Sequence, residues 1–281
     1  MHGSGAVKTG GRVCYRPEEL ARISAALQAG ESLLVISETG MGKSQLAEFI
    51  QEELSQKGFP VSLVLPATPK QFLQDCAIQL GADVSGPTSK APTISEMQNG
   101  IERALQLRPA FIIIDDAHRL PLSIRAWLQH VLDDGGHLLL LATNPLRKDI
   151  FLRLPRIELQ PLSRRDVRAV LMEAAADLNV LLPPHRAAAL LERCAGNPML
   201  AHRAVREEYL GLDETSPDHV NWIDGTPFLI AGILAFSVLR FLGRGLHQTD
   251  LYLLGGFIAV TAAIARMFVF SLPRPSGRLG R

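Results

Sequence analysis

Along residues 13–160, short apolar runs alternate with longer stretches of helical periodicity, and most blocks end at a glycine or proline. Leu20, Ile23, Ala26 and Leu27 share one face of a helix over 17–29, with Pro17 in its first turn and Gly30 at its stop. The run Leu33-Leu34-Val35-Ile36 predicts a strand, and after a short loop a helical pattern extends to about Lys57, closed by Gly58. Val61 to Leu65 alternates as a short strand does, and a helix follows from about Lys70 to Leu80 with Gly81 beyond it. Residues 82–93, rich in Gly, Pro, Ser and Thr, read as a loop; helical periodicity resumes from Ile94 to Leu107. Phe111-Ile112-Ile113-Ile114, β-branched and too short for a helix, suits a central parallel strand. A helix at 121–133, a strand from His137 to Thr143 and a short strand at Ile157 to Leu159 complete the alternation. Five strands are predicted, in a doubly wound parallel sheet of α/β class.

From Pro161 the pattern becomes helical only. Ser163, with Asp166 three residues on, caps the first of three helices near 164–178, 184–195 and 198–209, which together predict a small all-α lid over 161–210. Residues 211–226 carry Asp213, Glu214, Ser216, Pro217 and Asp218 and read as a polar linker, with Trp222 suited either to a membrane interface or to packing. Two apolar runs follow, at about 227–243 and 251–272, each approaching the roughly 20 residues that span a bilayer core. They predict a transmembrane hairpin over 227–272, with a buried helical hairpin of a soluble oligomer as the alternative. Arg240 and Arg266 lie near run ends, where long side chains snorkel. Gly255, Ala259 and Ala263 form a seam of small residues that Ala231 and Ala235 are placed to face. The basic tail 273–281, with Arg274, Arg278 and Arg281, agrees with the positive-inside rule, although Arg244 in the turn between the runs does not help it. The expected location is a bacterial-type inner membrane, multi-pass, with the preceding domain facing the cytoplasm.

The balance of 29 basic and 28 acidic residues in 281 gives a formal charge of +1, so composition carries no electrostatic signature of nucleic-acid binding. Cys14, Cys76 and Cys194 are scattered, with no C-x-x-C pair, and read as reduced cytosolic thiols. Residues 1–12 lack the apolar stretch of a signal peptide and are expected to be a flexible lead-in.

The chemistry is concentrated at strand ends. Ser37-Glu38-Thr39-Gly40-Met41-Gly42-Lys43-Ser44 stands between the first sheet strand and a helix, where a phosphate-binding loop belongs. Thr39, Gly40, Met41 and Gly42 supply backbone N–H groups, Lys43 reaches the β and γ phosphates of ATP, and Ser44 holds Mg²⁺. Ser37 stands where the motif G-x-x-x-x-G-K-[ST] has its first glycine. Asp115, at the carboxyl end of the central strand, is placed to bind Mg²⁺, and Asp116 to orient or deprotonate the attacking water. Two acids that merely end a strand and cap a helix are the structural alternative. Asn144, following its own strand, is placed to touch the γ-phosphate or the water, a helix cap being the plainer role. Of Arg147, Arg153 and Arg156, one is a candidate finger for a neighbour's site, Arg153 first, with solvated surface charge as the alternative.

These residues, taken with Ile112 to His118, Leu140 to Pro145, Ile157 to Ser163 and Ala195-Gly196-Asn197-Pro198, resemble the AAA+ ATPases, within them the ExeA-like and TniB-like bacterial group that includes DamX-type membrane proteins. The resemblance covers roughly residues 12–210. It implies an ATP hydrolase with Mg²⁺, nucleotide bound between an α/β core (13–160) and the helical lid, and assembly into a homo-oligomer. Two departures matter: Asp116 stands where family members usually carry Glu, and Met199 where the lid motif has Arg. Arg203, four residues on and so on the same helical face, is the candidate substitute. The expected function is a membrane-anchored ATPase that couples nucleotide state to assembly or to an unidentified membrane partner. The alternatives are an ATP-binding regulator or scaffold with little turnover, and a TniB-like DNA-associated ATPase, which neutral charge and the apolar runs disfavour.

Overall fold

The structure, a computed structural model, describes residues 7–9, 12–84, 91–145, 148–212, 223–224 and 278–279. The chain divides into two units, Met1–Ser216 and Pro217–Arg281.

In the first unit five strands form one parallel sheet in the order β4 (Val61–Val64), β5 (Phe111–Ile114), β6 (His137–Ala142), β3 (Leu33–Ile36), β7 (Arg156–Glu158). Leu34 of β3 faces Leu140 of β6 and Arg156 of β7, while Ile112 of β5 faces Ser62 of β4 and Leu138 of β6. All four residues of β5 are buried, as a strand covered on both faces requires. Its alternation divides the core. Ile112 and Ile114 pack with α3 (Pro69–Leu80), α4 (Ile94–Leu107) and α5 (Leu122–Asp133), around Phe72, Met97 and Leu128. Phe111 and Ile113 pack on the opposite face with α1 (Pro17–Gln28) and α2 (Lys43–Gln56), around Ile23, Leu27, Ile50 and Leu54.

Local chemistry starts the helices where the sequence signals them. Pro17 and Pro69 occupy first turns, Thr68 accepts from the Gln71 N–H, and Thr93 with Glu96 forms a reciprocal capping box. Ser163 accepts from the Asp166 N–H and opens α7 (Arg164–Asp177), which packs with α8 (Pro184–Cys194) and α9 (Pro198–Tyr209) around Leu171, Leu190, Cys194 and Val205. These three helices form a core of their own. At the open edge of β4, the Gln79 side chain from α3 accepts from the Leu63 N–H (2.8 Å) and donates to the Leu63 carbonyl (3.0 Å). On the opposite edge, β7 exposes Arg156 and Glu158.

Two short elements escape sequence periodicity: a single 3-10 turn at Ala117–Arg119, and α6 at Ile150–Arg153. Within residues 1–12, read from the sequence as a flexible lead-in, β1 (Val7–Thr9) pairs antiparallel with β2 (Arg12–Cys14), Val7 opposite Cys14.

In the second unit, β8 (Ile223–Asp224) pairs antiparallel with β9 (Arg278–Leu279). The expected membrane hairpin at 227–272 lies outside the described residues, as does most of the linker and tail. Among the described residues no helix is long and apolar enough to cross a membrane. All three cysteines are buried, and none is in a disulfide.

Candidate nucleotide site

The phosphate loop leaves β3 and turns into α2 through two left-handed glycines, Gly40 (φ 81°) and Gly42 (φ 85°). A side chain at Gly40 meets the lid as well as the torsion, because a Cβ there would stand 2.6 Å from Met199 Cβ and 2.8 Å from Asn197 Oδ1. Ser37 takes no such conformation, so a residue with a Cβ fits the first motif position. Its hydroxyl has a use. It accepts from Lys43 Nζ at 3.1 Å and donates to the Glu38 carbonyl at 3.0 Å.

Lys43 is buried, and its ammonium donates to the carbonyls of Ser37 (3.2 Å) and Glu38 (2.9 Å) as well as to the Ser37 hydroxyl. Burial lowers its pKa below the usual lysine value, while Asp115 and Asp116 oppose the shift. Ser44 Oγ donates to Asp115 Oδ2, and the other oxygen of that buried carboxylate accepts from the Asp116 N–H at 2.8 Å. A hydroxyl and a carboxylate oxygen in direct contact form the hard donor pair that suits Mg²⁺, so the residues fit that ion. Asp116 follows with φ 51°, its carboxylate partly exposed and 3.8 Å from Arg119 Nη1. Asn144 is exposed at the end of β6, which lies between β5 and β3, and so stands on the sheet edge where Asp115 and the loop also end. Lys43, Ser44, Asp115, Asp116 and Asn144 are thus brought to one end of the sheet.

The arginines are engaged elsewhere. Arg153 pairs with Asp133 at the end of α5, and Arg156 donates to the Phe151 carbonyl at 3.4 Å. Arg147 lies outside the described residues. Arg203 donates to Glu207 at 2.6 Å, and Glu207 also accepts from Arg193 at 2.9 Å, so this pairing stays within the lid.

Sequence reasoning missed several participants. Buried Arg16 donates to the carbonyls of Met41 (3.2 Å) and Gln160 (2.8 Å), tying the phosphate loop to the connection that leads into the lid. Its only signal was a basic residue before Pro17. Asn197, part of the quoted lid motif, caps α9 by accepting from Met199 N–H and Leu200 N–H, and its amide donates to the Thr39 carbonyl at 2.9 Å. The Met199 N–H also donates to the Gly40 carbonyl, at 3.2 Å. Beside the loop lies a cavity of about 210 Å³ whose walls include Tyr15, Leu46, Val170 and Pro198, with core on one side and lid on the other. Tyr15 Oη bridges the two by donating to Glu173 of α7 at 2.6 Å. Its position beside the loop, with apolar walls interrupted by Arg16, Gln45, Glu173 and His202, suits a nucleoside whose phosphates rest on the loop. Asn197→Ala is expected to destabilise the lid by about 1 kcal/mol through the lost cap. It should also speed proteolysis at the 195–200 turn; an unchanged digestion rate would argue against the latch.

The model of a family described as an AAA domain matches residues 27–150. Among solved structures, Cdc6p from Pyrobaculum aerophilum is 15% identical, with 75% of this chain and 65% of that chain covered and a TM-score of 0.54. A DNA replication initiation factor is 13% identical, covering 82% of this chain and 69% of that chain at a TM-score of 0.51. RuvB from Thermotoga maritima is 20% identical over 72% of this chain and 64% of that chain, with a TM-score of 0.46. This chain therefore spans about two thirds of the length of the structures it resembles. Residues 27–150 are thus similar to an AAA domain, and the fold is shared with Cdc6p and the replication initiation factor.

Proposed function

We propose that the chain hydrolyses ATP slowly, in a site completed by a second copy of itself, and passes the nucleotide state through its lid to a partner. The observation that carries this reading is the buried Lys43 beside the Ser44–Asp115 contact, with Asp116 and Asn144 at the same sheet end. In the proposed reaction, water attacks the γ-phosphorus, the bond to the β–γ bridging oxygen breaks, and ADP and phosphate leave. Asp116 orients that water or takes its proton, Asn144 holds the γ-phosphate side, and Lys43 faces the charge that develops on the transferred group. Mg²⁺ held by Ser44 and Asp115 would neutralise negative charge on the phosphates. Arg153 is the first candidate to reach a neighbour's site, and leaving Asp133 costs it little because exposed ion pairs are weak.

The finer reading follows the sequence: an ExeA-like or TniB-like protein anchored by residues 227–272 in a bacterial-type inner membrane, its ATPase facing the cytoplasm. Its support is two apolar runs of nearly spanning length and a basic tail. A second reading, an ATP-operated switch or scaffold with little turnover, is favoured by the short acid Asp116 and by Met199 on the loop.

Release of inorganic phosphate from ATP by the full chain separates the readings; magnesium-dependent release supports hydrolysis, and release at the buffer rate leaves the switch. Detergent is expected to be required to extract the full chain, and ATP to enlarge the extracted particle. Extraction by salt alone would sink the anchor, and a size indifferent to ATP would sink nucleotide-driven assembly.

A further inference from the structure

Two residues of the proposed site hold left-handed backbone at the ends of neighbouring strands, Asp116 after β5 (φ 51°) and Asn144 after β6 (φ 49°). Such conformations are unfavourable for residues with a side chain and persist where their surroundings hold them. Asp116 is held by its own amide on Asp115 Oδ1 and by the 3-10 turn that follows, in which the Arg119 N–H donates to the Asp116 carbonyl at 2.9 Å. Ahead of Asn144 the holding group comes from that same turn. The Thr143 N–H donates to His118 Nδ1 at 3.3 Å.

Thr143 is the first residue beyond β6, where ladder partners end, and it is partly buried. A backbone donor in such a place needs an acceptor, and the imidazole supplies one. Accepting at Nδ1 puts the ring proton on Nε2, the neutral form. One rigid turn therefore carries Asp116 at its start and clamps the backbone before Asn144 with its second residue. Sequence alone shows only that His118 lies two residues after Asp116.

We infer that His118 is a positioning residue of this site: its Nδ1 fixes the Thr143 amide, and through it the left-handed turn that presents Asn144 on the same edge as Asp116. The inference rests on the hydrolytic reading above. It predicts that His118 acts at the γ-phosphate end of the site and leaves ADP binding alone, because the loop, Lys43 and the cavity do not touch it in any described contact.

The test compares full-chain wild type, His118→Leu and His118→Asn by steady-state ATP turnover, ADP binding, amide exchange at Thr143 and thermal midpoint. His118→Leu is expected to lower kcat about 10- to 100-fold, the usual cost of losing a supporting contact, with ADP affinity unchanged. Thr143 should exchange faster in this variant. His118→Asn, whose Oδ1 can accept near the Nδ1 position, should restore both kcat and protection. Unchanged kcat in His118→Leu, Thr143 exchange indifferent to the substitution, or equal losses in both variants would each overturn the inference while wild type turns over normally. Wild-type turnover at background would instead overturn the hydrolytic reading, and this inference with it. Similar thermal midpoints separate a lost contact from a folding defect.

Discussion

Lys43→Ala is expected to lower ATP turnover by on the order of 10²-fold or more and to weaken ATP binding, without making the protein less stable. The catalytic magnitude is that of removing one preorganised donor from a site of developing negative charge. Lys43 is well placed to be such a donor, since its ammonium is buried and aimed at loop oxygens. The stability half follows from the same burial. A lysine held below its ordinary pKa disfavours the folded charged state relative to water, so truncation removes a cost along with three hydrogen bonds. Titration with a fluorescent ATP analogue, phosphate release and a thermal melt check the two halves separately. Binding equal to wild type would remove the loop from the nucleotide site; a large fall in melting temperature would make Lys43 a structural residue.

The second large effect is at Asp116. Asp116→Asn should retain ATP binding and lose about 10² to 10⁴ in kcat, the range for a positioned proton acceptor. The left-handed backbone makes this a clean substitution, because Asn tolerates φ 51° as Asp does. Asp116→Glu is more telling. The added methylene extends the carboxylate toward water and should raise kcat, but a longer side chain at positive φ costs about 1–2 kcal/mol. Turnover and thermal unfolding of the three proteins decide. If Asp116→Asn turns over as fast as wild type, Asp116 is not the water-handling acid; if Asp116→Glu gains stability, the backbone argument fails.

Most of the sheet was legible because its strands are short apolar runs punctuated by Gly and Pro, and each run meets a helix with a cap signal such as Thr93 with Glu96. Lys43, Ser44, Asp115, Asp116 and Asn144 were legible because their chemistry fixes their place at strand ends. What escaped was set by long-range contact. Nothing near Arg16 in the chain says that its guanidinium will bridge Met41 and Gln160, and nothing in Asn197 says that it will reach Thr39. Nor does the helical spacing that places Arg203 on the face of Met199 say that it will donate to Glu207 one turn further. The 3-10 turn and α6 are too short to show a period. Ser37, a blemish by motif, is ordinary by torsion.

The Gln79 amide that closes on Leu63 has a bearing on how copies of this chain can meet. An open sheet edge recruits strands, and a protein that works by reversible association is endangered by any contact that zips backbone to backbone. Here Gln79 acts as a dummy strand of one residue, and the other margin carries Arg156 and Glu158. Sheet extension is thereby discouraged at both margins. Any contact between copies is thus left to helices and loops, whose side chains can make and release it.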